Sequence, residues 1–386
     1  MGLIKREIQN AILEMLKGYP IVTLTGPRQS GKSTLLKHLL PGYQYVSLED
    51  LENRNFALED PRGFFAKYKT HVIIDEAQRV PHLFNYLQTL VDERNEMGQY
   101  VLSGSQNFHL MESITQSLAG RVAILKLLPL DISELNASDY LPGDWQSYIV
   151  KGSYPAIYDR ALEHTPYYAN YLQTYIKRDV SFIRNIHDTS RFESFLTLCA
   201  SRTGQLLNLH NLASDCGISS PTAKSWLSIL ENSYIVYLLH PYYENFTKRI
   251  IKSPKLYFFD TGLASYLLQL RNSTDLENPA LRGALFENMI VSEIQKRNYH
   301  LNQLKNLWFW RDSNGHEIDL FTKTSMGFDI YEIKSSQTIS YKLTEGMNYF
   351  DRISGGKVKS KTLVYGGDEN QDRTHFKVRN WKSPEI

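Results

Sequence analysis

Gly26-Pro27-Arg28-Gln29-Ser30-Gly31-Lys32-Ser33-Thr34 carries two glycines, a lysine and two adjacent hydroxyls at the spacing of a loop that wraps phosphate. The glycines let backbone N–H groups converge on phosphate oxygens, and a helix starting near Lys32 adds its positive end. In such a loop the lysine reaches the β- and γ-phosphates and the Ser33 hydroxyl meets magnesium. These nine residues are therefore expected to bind ATP with Mg2+, Lys32 also serving catalysis. The context agrees: Ile21-Val-Thr-Leu-Thr is a β-rich run before the loop, and Ser33 to Leu40 has helical patterning after it.

Further candidates lie at the ends of other apolar runs. His71-Val-Ile-Ile-Asp75-Glu76 ends in two acids, where a parallel sheet delivers side chains to a ligand at its carboxyl edge. Asp75 suits magnesium from its outer coordination sphere, and Glu76 suits polarising an attacking water. Tyr100-Val-Leu-Ser103-Gly104-Ser105-Gln106 ends in small polar residues. Ser105 is preferred to Ser103 as a hydroxyl near the γ-phosphate, since the glycine between them lets the chain turn across the sheet edge; a plain turn is the competing reading. Arg121, in Ser117-Leu-Ala-Gly-Arg121, either stabilises charge in trans from a neighbouring subunit, which requires at least a homodimer, or is a solvated strand-start residue.

Gly26 to Thr34, Val72 to Gln78 with Arg79-Val-Pro81, Leu102-Ser-Gly-Ser-Gln106 and Ser117-Leu-Ala-Gly-Arg121 together resemble the prokaryotic AAA+ superfamily ATPases that carry a C-terminal domain of unknown function. The resemblance continues through Gly152-Ser-Tyr-Pro155, Tyr175-Ile-Lys-Arg-Asp179 and Leu281-Arg-Gly-Ala-Leu-Phe-Glu287, so it covers essentially the whole chain. It implies a P-loop fold and ATP hydrolysis, and leaves the biological role open. Ser153 departs from it, standing where a second glycine is usual.

A second constellation lies near the C-terminus. In Glu332-Ile-Lys334 a strand points the acid and the lysine to one face. A turn around Ser325-Met-Gly327 joins this run to Glu317-Ile-Asp319-Leu-Phe, a hairpin that brings Asp319 beside Glu332. Glu287 sits on a helix within an arc of Ile290, Val291 and Ile294, an awkward place for a carboxylate unless it faces something polar. Glu293 interrupts the same helix and competes for that role.

Glu287, Asp319, Glu332 and Lys334, in that order, resemble the PD-(D/E)xK nuclease superfamily, and Gly315-His-Glu317-Ile-Asp319 after Trp310-Arg311 strengthens the match to its junction-resolving and restriction members. That implies a second Mg2+ or Mn2+ held by the three carboxylates, a metal-activated water, and Lys334 stabilising charge on a phosphate. Two readings stand: an active nuclease, or a folded domain that is catalytically silent. Arg311 and Glu317 either assist or form a solvated hairpin ion pair.

Between these sites, Leu209 to Leu230 reads as two helices about a tight turn at Gly217, the second capped by Ser219 and carrying Trp226, Leu227 and Leu230 on its apolar side. With strands at Tyr234 to Leu239 and Leu256 to Phe259 this is a winged helix pattern, for duplex DNA or for protein docking. Lys224 is the sole cation from Ser219 to Leu230, whereas Lys248, Arg249, Lys252 and Lys255 supply the hairpin with candidate phosphate contacts. His187 and His210 have no metal-ligand spacing.

The whole chain has 386 residues and a formal net charge of +2, with 42% hydrophobic and 22% charged residues. This composition is globular, and near-neutrality excludes coating of nucleic acid by bulk electrostatics while permitting local basic faces. No apolar run approaches the roughly 20 residues of a membrane-spanning helix. The opening Met1-Gly-Leu-Ile-Lys-Arg-Glu is unlike a signal peptide, and Cys199 and Cys216 alone build neither a disulfide framework nor a zinc site, so a cytoplasmic location without membrane partner is expected.

The expected fold class is α/β: an AAA+-like parallel-sheet P-loop ATPase domain over 1–141, a helical lid or connector over 142–188, a winged helix over 189–278, and a restriction-endonuclease-like α/β domain over 279–386. The function expected is an ATPase acting on or with duplex or branched DNA. The alternative is a nucleotide-controlled switch whose winged helix and terminal domain bind proteins without nuclease chemistry.

Overall fold

The computed structural model describes residues 4–105, 117–176, 189–242, 251–303 and 305–383. Gln106, His187, Lys248, Arg249 and the Lys177 to Asp179 end of the tyrosine-led motif lie outside them.

After helix α1 (Gln9–Gly18), strand β1 (Ile21–Thr25) leads into the phosphate-loop sequence and α2 (Lys32–Leu39). The chain continues through β2 (Gln44–Ser47), α3 (Leu51–Glu59), α4 (Pro61–Lys67), β3 (Val72–Asp75), α5 (Leu83–Arg94), β4 (Tyr100–Gly104) and β5 (Val122–Lys126). The five strands form one parallel sheet in the order β2-β3-β4-β1-β5. Every residue of β1, β3 and β4 is buried, as an interior strand covered on both faces requires.

Alternation along the strands divides the core. Ile21, Ile74 and Leu102 face Phe64, Phe84 and Leu87, while Val22, Leu24, Ile73 and Val101 face Ile12 and Leu36. The register pairs Thr25 with Gly104 and Asp75 with Ser103, so β1, β3 and β4 end along one edge of the sheet.

Helices α6 (Ile132–Asn136), α7 (Trp145–Lys151), α8 (Pro155–Asp159) and α9 (His164–Tyr171) follow. Next come α10 (Thr189–Ser201), α11 (Leu209–Asp215), α12 (Ser220–Asn232) and an antiparallel ribbon of β6 (Val236–Leu239) with β7 (Lys255–Phe258). Ser219 caps α12 by accepting from the Thr222 N–H, and Gly217 takes the turn at φ +64°. After α13 (Thr261–Leu267), the long α14 (Pro279–His300) leads to β8 (Leu307–Arg311), β9 (Glu317–Thr324) and β10 (Gly327–Lys334).

The chain ends with α15 (Glu345–Ile353), β11 (Val358–Tyr365), β12 (Gln371–Asp372) and β13 (Lys377–Asn380), giving a mixed sheet in the order β12-β13-β11-β10-β9-β8. One hydrophobic core joins Tyr148, Tyr168, Phe195, Leu230, Phe258, Met289, Leu320 and Trp381. Helix α14 runs through it with Leu285, Phe286, Met289, Ile290, Val291 and Ile294 all buried, so its polar residues must find partners inside the protein.

Candidate nucleotide and carboxylate sites

Gly26 opens the phosphate-loop sequence at φ +152°, and a Cβ there would stand 2.0 Å from the Leu127 carbonyl oxygen, so only glycine fits. Gly31 precedes α2 at φ +93°. Lys32 Nζ donates to the Gly26 and Pro27 carbonyls at 2.9 and 2.7 Å, folding over the loop. Burial lowers the Lys32 amine to about 8, with the Glu76 and Asp75 carboxylates opposing that fall. Arg28 bears on the charge of both Lys32 and Glu76. Ser30 Oγ donates to the Pro27 carbonyl at 2.9 Å, while Gln29 and Thr34 line an adjoining cavity with Ile4, Leu130 and Pro155, about 180 Å3 in volume.

Asp75 is the hub of the edge. Its Oδ2 accepts from Ser33 Oγ at 2.7 Å and from the Tyr45 hydroxyl at 2.6 Å, and its Oδ1 accepts from Ser103 Oγ. Glu76 follows in a left-handed conformation, φ 55°, uncommon for a residue with a Cβ. Its Oε2 accepts from Gln78 Nε2 at 2.6 Å and from Ser105 Oγ at 3.5 Å, and burial raises its carboxyl despite the charge of Lys32. Lys32, Ser33, Asp75, Glu76 and Ser105 thus meet at one sheet edge. The two serines divide the acids, Ser103 holding Asp75 and Ser105 approaching Glu76. Hydroxyl and carboxylate oxygens so disposed suit a hard cation such as Mg2+.

Arg121 lies at the opposite edge. Its carbonyl accepts from the Ile21 N–H at the start of β1, and five strand residues, about 17 Å, separate it from the loop. Its guanidinium chelates Asp92, Nε to Oδ1 at 2.6 Å and Nη2 to Oδ2 at 2.7 Å. Within its own chain it does not reach the loop.

Arg6 connects the loop to the rest of the molecule. It donates to the Ser30 carbonyl at 2.8 Å and the Leu128 carbonyl at 2.7 Å, and its Nε pairs with Glu134 Oε1 at 3.0 Å. Glu134 and Asp131 form a capping box at the start of α6, and His300 Nδ1 donates to Asp131 Oδ2 at 2.8 Å. The Leu128 N–H donates to His300 Nε2 at 3.2 Å, which fixes this neutral tautomer. Burial would raise the Asp131 carboxyl, but the hydrogen bond from His300 and the N–H of Glu134 hold it below the usual carboxylate range. Earlier on α14, Glu293 Oε1 accepts from Lys296 Nζ at 2.7 Å and from the hydroxyl of Tyr148 on α7 at 2.6 Å. Glu293 therefore belongs to this network and does not compete with Glu287.

The C-terminal residues also meet. The antiparallel ladder of β9 and β10 runs to Leu320 opposite Tyr331, just before Asp319 on one strand and Glu332 on the other. There Asp319 Oδ2 takes the Ile333 N–H at 2.7 Å, so a carboxylate replaces the ladder carbonyl. Lys334 Nζ bridges Asp319 Oδ2 at 3.0 Å and Glu332 Oε1 at 2.6 Å. Burial raises Glu332 to about 8, and the Asp319 charge adds to the rise. Burial also acts on Asp319, but Lys334 and Lys255 hold its carboxyl below the usual range.

Glu287 arrives from α14, its Oε1 accepting from the Tyr257 hydroxyl at 2.6 Å. Carboxylate oxygens of Glu287, Glu317 and Asp319 lie within 4.8 Å of one another. Glu332 Oε2 is buried and has no hydrogen-bond partner. An orphaned carboxylate oxygen beside three clustered acids is a donor set that fits a divalent cation. The cavity over these groups has a volume of about 910 Å3.

Lys255 corrects one part of the expected basic hairpin face; Lys252 is exposed there. Lys255 is only 3% exposed and pairs with Glu287 and Glu317, because the pleat of β7 turns it inward toward the acids. It is not a phosphate contact on the ribbon surface.

Residues 18–136 match the family model described as an AAA domain, and 142–274 and 282–383 match two models described as domains of unknown function, DUF8612 and DUF4143. Uncharacterized proteins of Mycobacterium bovis and Mycobacterium tuberculosis are each 30% identical to the chain over 341 residues, covering 87% of it and 75% of their own length. The chain belongs to their family. This member carries a P-loop AAA-type ATPase domain before two domains of unknown function.

Among solved structures, the Walker-type ATPase of Pyrococcus abyssi is similar with a TM-score of 0.43 at 15% identity, over 69% of this chain and 96% of that one. DnaA of Aquifex aeolicus bound to AMPPCP gives a TM-score of 0.31 at 12% identity, over 58% and 85% of the two chains. No helix among the described residues of this family member is long and apolar enough to cross a membrane.

Several of its site residues escape sequence reading. Arg6, Tyr45 and Lys255 reach their partners through long-range packing that local spacing does not signal. His316, whose Nδ1 bonds Asp312 Oδ2 at 3.0 Å and whose ring stacks on Tyr349 at 3.9 Å, lines the carboxylate cavity; its place in Gly315-His-Glu317 was the available signal.

Proposed function

We propose that this family member binds and hydrolyses ATP with Mg2+ at the β1–α2 loop and acts on or with DNA through its C-terminal two thirds. The convergence of Ser33, Asp75 and Glu76 at the loop carries the first part. Backbone N–H groups from Gly26 to Thr34 would cradle the phosphates, and Lys32 would exchange its two carbonyl partners for phosphate oxygens. Ser33, with Asp75 behind it, would hold Mg2+, which supplies charge neutralisation on the phosphates. Glu76 would orient and polarise the attacking water, with Ser105 at its side. Arg121 would serve only a neighbouring subunit.

The three helices and ribbon from α10 to β7 support a winged helix reading, with Lys224 exposed on the second helix of its helix-turn-helix pair. Glu287, Asp319, Glu332 and Lys334, on a long helix and two strands of a mixed sheet, support a PD-(D/E)xK-like centre over the terminal segment. Its carboxylates would hold Mg2+ or Mn2+, which lowers the pKa of a bound water; Lys334 would meet the phosphate.

The inward turn of Lys255 and the scarcity of cations on α12 favour a second reading, a nucleotide-controlled switch docking protein partners. ATP turnover with and without duplex and branched DNA, across a salt series, separates the two. Stimulation that falls steeply with salt supports action on DNA, and no DNA binding at low salt removes it.

A further inference from the structure

Glu287, Glu317, Asp319 and Glu332 converge in the C-terminal cavity, and Lys334, Arg311 and Lys255 pair with them. Lys334 bridges Asp319 and Glu332 from the same sheet, and Arg311 Nη1 meets Glu317 Oε2 at 2.9 Å from the neighbouring strand. The third cation comes from elsewhere. Lys255 is the first residue of β7, in the ribbon after α12, and its backbone is held on both sides, paired with Leu239 of β6 and bridged to Leu206.

From that anchor its side chain enters the cavity and places Nζ 2.7 Å from Glu287 Oε1 and against Glu317 Oε1. One carboxylate oxygen from each of Glu287, Glu317 and Asp319 lies within 4.8 Å of the others, a spacing at which like charges repel strongly unless a cation stands between them. Phe309 closes one side, its ring centroid 5.5 Å from Nζ. An ammonium in this position and a divalent ion bound to the same two carboxylates exclude each other by both volume and charge. Glu332 Oε2, buried without a partner, is a ligand atom that Lys255 leaves unused.

Resting on the reading of these acids as a divalent-cation centre, we propose that Lys255 is the centre's built-in competitor: its ammonium occupies the cation position between Glu287 and Glu317, and a metal ion enters only when that side chain withdraws. The ribbon thereby gates the site on the terminal sheet. A change that shifts β7 relative to α14 opens it, and one that seats β7 closes it.

The test is Mn2+ binding by the full chain without nucleotide, read as free Mn2+ by electron paramagnetic resonance, together with melting temperature in EDTA and in Mn2+. Lys255→Met and Lys255→Gln are compared with wild type and with Lys255→Met/Asp319→Asn. Both single variants are expected to melt lower than wild type in EDTA, since buried carboxylates lose their partner, and to recover in Mn2+. Their Mn2+ affinity is expected to rise at least tenfold over wild type, and the added Asp319→Asn is expected to remove that gain.

Equal affinity in wild type and the single variants, with loss on Asp319→Asn, would overturn the competitor role while leaving the cation centre standing. Binding absent from every protein, or indifferent to Asp319, would overturn the centre itself and the inference with it. Single variants that stay unfolded even in Mn2+ would also overturn it, since the metal then fails to replace the ammonium.

Discussion

Ser33 Oγ donates to Asp75 Oδ2 at 2.7 Å, joining the first turn of α2 to the end of β3 across 42 residues of sequence. That bond exists because β1 and β3 end level on either side of β4, so the loop after one strand faces the acids after the other. The neighbouring Glu76 is held by Gln78 and approached by Ser105, leaving its function distinct from that of Asp75. Glu76→Gln is expected to keep nucleotide binding and lower kcat by about 100- to 10,000-fold, the range for a positioned general base. Fluorescent-nucleotide titration beside steady-state turnover checks both halves.

Arg121 presents a geometric choice. Its own loop lies beyond reach, and its exposed pair with Asp92 contributes little to stability. If the protein works as an assembly, Arg121→Ala should lower turnover by about 1,000-fold or more, the effect of a trans-acting arginine, with affinity for ATP kept. Turnover per subunit should then rise with protein concentration in wild type. Unchanged turnover in the variant assigns Arg121 to the Asp92 pair alone.

The network under the loop gives a pH dependence. Asp131 has its carboxyl held below the usual value, so the stability it contributes is fully present above about pH 4 and is lost as pH falls through the depressed folded value. Asp131→Asn should flatten that acid limb in a denaturant series at stepped pH. Asp131→Ala should cost about 2 kcal/mol or more at neutral pH, because it leaves the buried His300 N–H without its acceptor and removes a helix cap.

For the terminal site, any metal-dependent DNA cleavage should vanish on Lys334→Ala or Asp319→Asn with ATP turnover intact. Cleavage assays on duplex, single-stranded and branched DNA with Mg2+ and Mn2+ check this. Cutting that survives both changes comes from elsewhere.

Much of this was legible in local sequence. Gly26 and Gly31 mark a loop that only glycine can trace, and period-two patterning at Glu317, Asp319, Glu332 and Lys334 places four side chains on the facing sides of one hairpin. The partners of these residues were less legible. Lys255 looks like a surface cation in a basic stretch, yet strand alternation and the pull of two carboxylates turn it inward. Arg6 stands in a charged N-terminal run, and its target, the Ser30 carbonyl, is set by where α6 and the β5 end pack. Glu287 and Glu293 carry the same residue type on one helix, and only the tertiary neighbours, Lys255 and Tyr257 for one, Lys296 and Tyr148 for the other, distinguish their fates. The parallel pairing of β10 with β11 across α15 likewise has no short motif to signal it.

The central claim is that ATP is hydrolysed at the loop between β1 and α2. Phosphate release by the full chain with ATP and Mg2+, wild type against Lys32→Ala, tests it most directly. The account predicts turnover in wild type that EDTA abolishes and that Lys32→Ala lacks while its melting temperature stays close to wild type. Hydrolysis by Lys32→Ala at the wild-type rate would contradict it.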